Sequence, residues 1–302
     1  MAWQAQIAEA AARIAPYVRR TPVLRAQIAG QDVALKLEQM QHTGSFKARG
    51  AFNTLLQADV PEAGIVAASG GNHGAAVAYA AARLGHKARI YVPQIAGPAK
   101  IALIRAQGAD LQVVPGAYAE AAARAAEWRQ ATGAIEVHPY DAKATVAGQG
   151  TAMAEWEEQG CEADTVLIAV GGGGLIAGAL GWLAGRRRVV AVEPETSCAL
   201  NAALHAGTPV DVEVSGVAAN ALGARRIGRI CFDLAQGIES VLVPDAAITQ
   251  AQAMLWREMR QLVEPAGATA LAALLSGAYR PERGERVAVL VCGGNVAPDP
   301  LG

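Results

Sequence analysis

The sequence predicts an α/β protein with mostly parallel sheets covered by helices. Short runs rich in valine and isoleucine alternate with longer alanine-rich stretches, which is typical of parallel strands connected by helices. Three glycine clusters each follow a predicted strand, at the sheet edge where open α/β folds bind ligands. With 302 residues, of which 52% are hydrophobic and 18% charged, the chain can bury a large core, and disorder is excluded.

The predicted strands are short and apolar, and helices fill most of the gaps between them. They cover residues 65–69, 88–92, 111–115, 166–170, 189–193 and 287–292. Residues 1–20 predict an amphipathic helix that ends near Arg19 and Arg20, without an export signal. The uncharged run 165–185 reaches transmembrane length, but Gly171–Gly174 interrupt it, so strand, glycine loop and helix explain it better.

Charge and cysteine content narrow the class of protein. The formal charge of -1 gives no general attraction to nucleic acid or anionic membranes. The four cysteines lie more than thirty positions apart, so the chain has no Cys-x-x-Cys motif for metal or redox chemistry. We therefore expect a cytoplasmic protein with reduced thiols, a small-molecule substrate, and no nucleic-acid or membrane partner.

The first candidate site residue is Lys47, in the segment 42–50 that precedes a predicted helix. A lysine without context is usually a solvated surface residue. Here Phe46 offers an apolar neighbour that would lower the lysine pKa, and Thr43 or Ser45 could cap the helix. Lys47 is therefore a candidate reactive amine.

A second candidate is the loop 68–74, which follows a strand and precedes an alanine-rich helix. Its backbone amides could bind a carboxylate or a phosphate. The alternatives are a plain tight turn capped by Asn72 and a structural imidazole at His73.

The four glycines Gly171, Gly172, Gly173 and Gly174 also join a strand to a helix, so their free amides and the helix dipole predict a phosphate site. A dinucleotide site is less well supported. The acidic residue that it needs about twenty positions later would be Glu193, which Pro194 follows immediately. A Walker-type site is disfavoured because no Lys-Ser or Lys-Thr follows the glycines.

Two further residues lie at predicted element ends. Cys292 ends a very apolar strand, either as a structural cysteine or as a small polar group at the sheet edge. Glu264 lies between two helices. Its carboxylate is equally consistent with a functional group of the site and with a helix cap.

Together these segments resemble the pyridoxal-phosphate enzymes of the tryptophan-synthase-like group (fold type II), in the serine/threonine dehydratase and serine racemase branch. Residues 45–50 are similar to the Schiff-base lysine motif, and Gly171–Gly174 to the phosphate loop. Residues 146–151 and 264–268 add matches outside these loops. The resemblance covers nearly the whole chain.

The resemblance implies a role for each of these segments. Lys47 would carry pyridoxal 5'-phosphate and act as the catalytic base, with Phe46 beside the cofactor and Asn72 on its ring oxygen. Cys292 would face the pyridine nitrogen. The substrate carboxylate would be held by the loop that comprises Ser69, Gly70, Gly71, Asn72 and His73.

The resemblance also implies a two-domain organisation and a homodimer. A small domain of residues 54–144, which carries the substrate loop, would be inserted into a large cofactor-binding domain of residues 1–53 and 145–302. The length leaves no room for the regulatory domain of biosynthetic threonine dehydratases, so feedback by isoleucine is not expected.

Three functions remain open at this point. The first is a dehydratase (ammonia-lyase) that converts a 3-hydroxy amino acid such as L-threonine or L-serine to a 2-oxo acid. The second is a racemase of the same branch, and the third a non-catalytic or nucleotide-binding α/β protein. The racemase serine that precedes the Gly-Asn pair is Gly70 here, which favours elimination because glycine cannot transfer a proton.

No metal is expected. Glu193 and Pro194 resemble the start of the branch's divalent-cation site, but its second carboxylate, six residues after the glutamate, is Ala199 here.

Overall fold

The computed structural model describes residues 2–116 and 118–296 and contains two sheets. The six-stranded sheet has the order β1-β2-β10-β7-β8-β9, and the four-stranded sheet the order β5-β4-β3-β6. Every pair of neighbouring strands is parallel except β1 and β2. The strands are β1 Val23–Ile28, β2 Gln31–Leu37, β3 Ile65–Ala68, β4 Ala88–Pro93, β5 Asp110–Val114, β6 Ile135–Glu136, β7 Thr165–Ala169, β8 Arg188–Pro194, β9 Glu239–Val243 and β10 Val287–Val291. The predicted α/β class is confirmed.

Helices cover both sheets, and the first one is shorter than predicted. The helices are α1 Ala2–Ile14, α2 Lys47–Leu55, α3 Asn72–Arg83, α4 Pro98–Arg105, α5 Tyr118–Thr132, α6 Lys143–Glu158, α7 Gly174–Leu183, α8 Ala199–Ala206, α9 Ala219–Leu222, α10 Arg229–Leu234, α11 Asp245–Met259 and α12 Pro265–Ser276. The prediction that α1 ends near Arg19 and Arg20 is wrong. Pro16 disfavours the helical conformation at the residue before it, so the helix ends at Ile14.

All six predicted strands are present, with ends within one residue of the prediction. Four strands were not predicted: β1, β2, β6 and β9. Strands β1 and β9 form the two edges of the large sheet and are only partly buried, so they lack the continuous apolar run that marks a central strand. Strand β6 has only two residues.

The strands of the small sheet all lie between residues 65 and 136, and those of the large sheet lie on either side of that range. The proposed domain boundaries fall inside helices, at 53/54 in α2 and at 144/145 in α6. In α2, Phe52 and Leu55 pack in the core that contains Ile65 and Ile90 of the small sheet. The division at residues 54 and 144 stays a prediction.

Helices α2, α6 and α7 approach each other through glycines. A Cβ atom on Gly148 of α6 would lie 2.6 Å from the Cα atom of Gly50 of α2, and one on Gly178 of α7 would overlap the backbone of Gly150 of α6. Helix α2 begins with Lys47 and α7 begins at the glycine loop. The contacts through α6 therefore fix the distance between these two parts of the site.

No helix in the described part of the chain is long and apolar enough to cross a membrane. The uncharged run 165–185 forms strand β7, the glycine loop and helix α7, as its glycines predict.

Candidate active site

Lys47 is the first residue of α2, as predicted, and its side chain lines a small cavity beside the ends of β7 and β10. The Nζ atom donates a hydrogen bond to the carbonyl oxygen of Pro139 at 2.8 Å and lies 5.2 Å from the centre of the Phe46 ring. Burial lowers the pKa of Lys47 to about 8. Part of the amine is therefore neutral near physiological pH, as a nucleophile requires.

The loop before Lys47 is attached to the end of β10. The Phe46 amide donates to the carbonyl oxygen of Cys292 at 3.3 Å, and Ser45 forms an isolated bridge with Gly293. The prediction that Thr43 or Ser45 caps α2 is wrong, because Phe46 occupies the cap position without a side-chain bond. Both hydroxyl oxygens are buried and make no hydrogen bond within the described residues.

The four consecutive glycines join β7 to α7. The first hydrogen bond of α7 runs from the Ala177 amide to the Gly173 oxygen, so the amides at the start of the helix have no carbonyl partner in it. Gly173 has φ = 93°, a conformation that favours glycine. The Tyr140 ring packs so closely on Gly172 that any side chain there would overlap it. Free amides at a helix N-terminus are suited to binding a phosphate.

Cys292 follows β10 and faces the same cavity. The thiol donates to the carbonyl oxygen of Ala266 at 3.3 Å and is 4% exposed. Burial raises the pKa of the Cys292 thiol well above its usual range, with a further contribution from the charge of Glu264. The side chain is therefore a neutral thiol at physiological pH.

The structure brings the predicted cofactor residues into one cavity. Its lining includes all eight of them: Phe46, Lys47, Asn72, Gly171, Gly172, Gly173, Gly174 and Cys292. A larger open groove lies elsewhere, along Gln31, Trp156 and Arg286, and contains none of these residues.

The predicted carboxylate loop reaches this cavity only through Asn72. Ser69 accepts a hydrogen bond from the Gly71 amide at 3.2 Å, and Gly70 packs against Ala96. The His73 ring bonds through Nε2 to the Val137 oxygen at 2.7 Å, and burial lowers the pKa of His73 to about 3. The imidazole is therefore neutral and engaged by the backbone. Binding of a carboxylate by the loop amides stays a prediction.

Some contacts near the site carry no signal that the sequence could have revealed. Pro139 and Tyr140 follow β6, which is too short to predict, so the end of a strand could not be recognised there. Glu264 occupies the cap position of α12, but its carboxylate does not cap the helix. It accepts a hydrogen bond from Asn72, a partner 192 positions away.

A family model for "Pyridoxal-phosphate dependent enzyme" matches residues 14–293. The chain belongs to this pyridoxal-phosphate dependent enzyme family.

Its relatives within the family include both dehydratases and racemases. The phenylserine dehydratase of Ralstonia pickettii is 37% identical over 96% of this chain and 92% of its own length. The threonine deaminase of T.th. is 35% identical over 98% of this chain and 99% of its own, with a TM-score of 0.90. Maize serine racemase is 32% identical over 99% of this chain and 95% of its own, with a TM-score of 0.92.

The residues of this family member fit pyridoxal phosphate. The cavity contains one lysine amine for the cofactor's aldehyde, and glycine amides without helical partners for its phosphate. A neutral thiol and the carboxamide of Asn72 line the same cavity and could provide polar contacts for the ring. Dependence on this cofactor is a property of the family, and the chemistry of the donor set agrees with it.

The segment that resembles a divalent-cation site has a different role in this family member. The Glu193 carboxylate accepts hydrogen bonds from the amides of Leu200 at 2.8 Å and Asn201 at 2.7 Å, in the first turn of α8. Ala199 offers no ligand. Within the described residues, no group of three or more His, Cys, Asp and Glu side chains could hold a metal ion.

Proposed function

We propose that this protein is a dehydratase (ammonia-lyase) that converts a 3-hydroxy amino acid, such as L-threonine or L-serine, to a 2-oxo acid and ammonia. The water lost in the elimination is taken up again in the hydrolysis that releases ammonia. The observation that carries the proposal is the Lys47 amine, with its lowered pKa, in the same cavity as the glycine loop, together with the absence of a proton-transferring side chain at Gly70. The names of the phenylserine dehydratase and the threonine deaminase support it.

The chain's own residues would first bind and orient the reactants. The amides that begin α7 would hold the cofactor phosphate, and Asn72 would bond to the ring oxygen. The backbone amides of the loop 69–73 would bind the substrate carboxylate. Orientation by these contacts decides which bond at the α-carbon is broken.

Pyridoxal phosphate, when bound, stabilises negative charge at the α-carbon of the amino acid. The Nζ atom of Lys47, once free, would take the α-proton. The neutral Cys292 thiol provides no carboxylate to keep a proton on the ring nitrogen, so a long-lived carbanion is disfavoured. Loss of the β-hydroxyl as the α-proton leaves avoids that carbanion, and the two together amount to one water. Hydrolysis of the resulting enamine then consumes one water and gives the 2-oxo acid and ammonia.

Racemisation is the second candidate, and the likeness to maize serine racemase favours it. It needs a proton donor on the face of the substrate opposite Lys47. Gly70 occupies that position in the family resemblance, and a Cβ atom there would lie 2.5 Å from the Cβ atom of Ala96. Position 70 therefore offers neither a proton donor nor the space for one, which supports elimination as the main reaction.

A substrate panel tests this proposal. L-Serine, D-serine, L-threonine, hydroxyaspartate and 3-phenylserine should be assayed both for 2-oxo acid and for the chirality of the remaining amino acid. We expect 2-oxo acid from an L-substrate, with D-serine formed from L-serine at a small fraction of the pyruvate rate. Accumulation of D-serine as fast as pyruvate would contradict the proposal. The homodimer and the cytoplasmic location stay predictions.

A further inference from the structure

A chain of side-chain hydrogen bonds runs along one wall of the cavity and joins three separate segments. Asn295, after β10, donates through Nδ2 to the Thr43 carbonyl oxygen at 2.8 Å and to Asn72 Oδ1 at 2.7 Å. Asn72, at the start of α3, in turn donates through Nδ2 to the Glu264 carboxylate, just before α12. Thr43 lies four residues before Lys47, so the chain links the lysine loop to Asn72.

Two glycines of the sequence motifs leave room for this chain. A Cβ atom on Gly293 would overlap a carboxylate oxygen of Glu264, and one on Gly44 would overlap Oδ1 of Asn295. Gly44 also has φ = 76°, which disfavours any other residue. Both positions therefore exclude larger side chains that would break the chain.

This chain of hydrogen bonds fixes which end of the Asn72 carboxamide faces which neighbour. The Thr43 carbonyl can only accept, so Asn295 must turn its NH₂ group toward Thr43 and Asn72. Asn72 must then present its oxygen to Asn295 and its NH₂ group to Glu264. Rotating the Asn72 carboxamide by half a turn would place its oxygen against the Glu264 carboxylate and its NH₂ group against the NH₂ group of Asn295. Both contacts would be repulsive.

The surroundings of Glu264 decide at which pH this preference is strongest. The carboxyl is 3% exposed, and burial raises the pKa of Glu264 to about 7. The charged group that faces it is the ammonium of Lys100 on α4, which lowers that pKa, as does the bond from Asn72. The Cys292 thiol is also near, and it is neutral. As a carboxylate, above about pH 7, Glu264 interacts strongly with its donor in such a poorly solvated place. Below that pH the protonated carboxyl can itself donate, and the preference weakens.

We propose that Glu264 and Asn295 are positioning residues that hold the Asn72 carboxamide in one orientation, so that its remaining N–H is directed to the cofactor. Asn72 lines the cavity with Lys47, and its second N–H is not used by Glu264. The inference rests on the proposed function only in that pyridoxal phosphate occupies this cavity. Neither residue needs to touch the substrate.

The test compares variants of the holoenzyme by two measurements other than turnover. The first is the dissociation constant of pyridoxal phosphate, from absorbance titration of the cofactor-free protein. The second is the pH midpoint of the visible absorbance of the bound cofactor. The variants are Asn295→Asp, which replaces the NH₂ group by an oxygen, Glu264→Ala, and Glu264→Gln, which keeps an acceptor. Glu285→Gln is the control, since its carboxylate accepts from Thr165 and Tyr279 at the opposite end of β10.

We expect Asn295→Asp and Glu264→Ala to weaken cofactor binding about tenfold and to shift the pH midpoint, because one directed hydrogen bond is lost. Glu264→Gln should stay within about threefold of the wild type, because it restores the acceptor. Glu285→Gln should change neither measurement. Wild-type affinity and an unchanged midpoint in both Asn295→Asp and Glu264→Ala would overturn the proposal.

If Asn295→Asp or Glu264→Ala does not fold, as judged by circular dichroism, Asn295→Ala replaces it. Weaker cofactor binding with a shifted pH midpoint would then support the proposal, and wild-type values of both would overturn it. A wild-type protein that binds pyridoxal phosphate but eliminates no hydroxy amino acid would contradict the proposed function and leave this test unaffected. Failure of the wild type to bind the cofactor would overturn both.

Discussion

Replacing Lys47 by methionine should stabilise the cofactor-free protein near neutral pH. The pKa of Lys47 falls from an ordinary 10.5 to about 8 on folding, so between these values the unfolded chain binds more protons than the folded one. The free energy of unfolding therefore rises with pH between about 8 and 10.5. Below about pH 8 the amine is charged in both states, and the folded protein bears the full cost of burying that charge. At 1.36 kcal/mol per pH unit the penalty is about 3 kcal/mol.

Two effects reduce this figure. Lys47 keeps some contact with solvent, and methionine loses the hydrogen bond to Pro139, which costs about 1 kcal/mol. We therefore expect Lys47→Met to gain about 1–2 kcal/mol of unfolding free energy at pH 7. The same variant should have no enzymatic activity.

The same substitution at Lys36 should have the opposite sign. Lys36 is fully buried, and its Nζ donates to Glu155 at 2.5 Å, to Gln159 at 2.7 Å and to the Thr21 oxygen at 2.8 Å. Glu155 would keep its ion pair with Arg49, but the Gln159 side-chain oxygen would lose its donor and Glu155 one of its two cations, which costs about 1–3 kcal/mol. Lys36→Met should therefore destabilise the protein.

Urea unfolding of the cofactor-free proteins at pH 7 and pH 9.5 measures these differences. The advantage of Lys47→Met should shrink by about 2 kcal/mol at the higher pH, where the wild-type amine is mostly neutral in the folded state. A Lys47→Met protein that is less stable than the wild type at pH 7, or a difference that does not depend on pH, would refute the reasoning.

Four further predictions concern the cofactor site and the Glu193 segment. Borohydride reduction of the holoenzyme followed by peptide mapping should label Lys47, and label on another lysine would contradict the assignment. Cys292→Ser should keep the cofactor and, within about threefold, the elimination rate, since a hydroxyl replaces a weaker donor. By contrast, Cys292→Asp should lose at least about tenfold in rate and absorb at longer wavelength, because a carboxylate favours a protonated ring nitrogen. An inactive serine variant that retains its cofactor would require another role for the thiol. EDTA should change neither activity nor melting temperature, since Glu193 caps α8 and Ala199 provides no ligand; losses that magnesium restores would disprove this.

The central parts of the fold could be predicted because burial dictates them locally. Strand β7 is apolar on both faces, and the glycines that follow it mark a loop with unusual backbone conformation. The edge strands β1 and β9 carry a weaker pattern, because one side of each has no neighbouring strand to bury it.

The candidate site could be predicted in part, through residues whose type limits their chemistry. Lys47 and the four glycines belong to this class, and the structure places them in one cavity. The partners of Glu264 could not be predicted, because a carboxylate suits a helix cap and a distant carboxamide equally well. Which of them it meets depends on contacts between segments far apart in the chain.

The glycines between α2, α6 and α7 limit how the protein can be engineered for heat resistance. Exchanging helical glycine for alanine commonly raises stability by restricting the unfolded chain. At Gly148 and Gly178 the added methyl group would collide with backbone, so the usual gain should become a loss. Loop positions such as Gly85 and Gly108 have free space, but their φ values of 75° and 83° would strain an alanine. Thermostable variants should therefore come from other residue types, and random libraries should retain glycine at these positions.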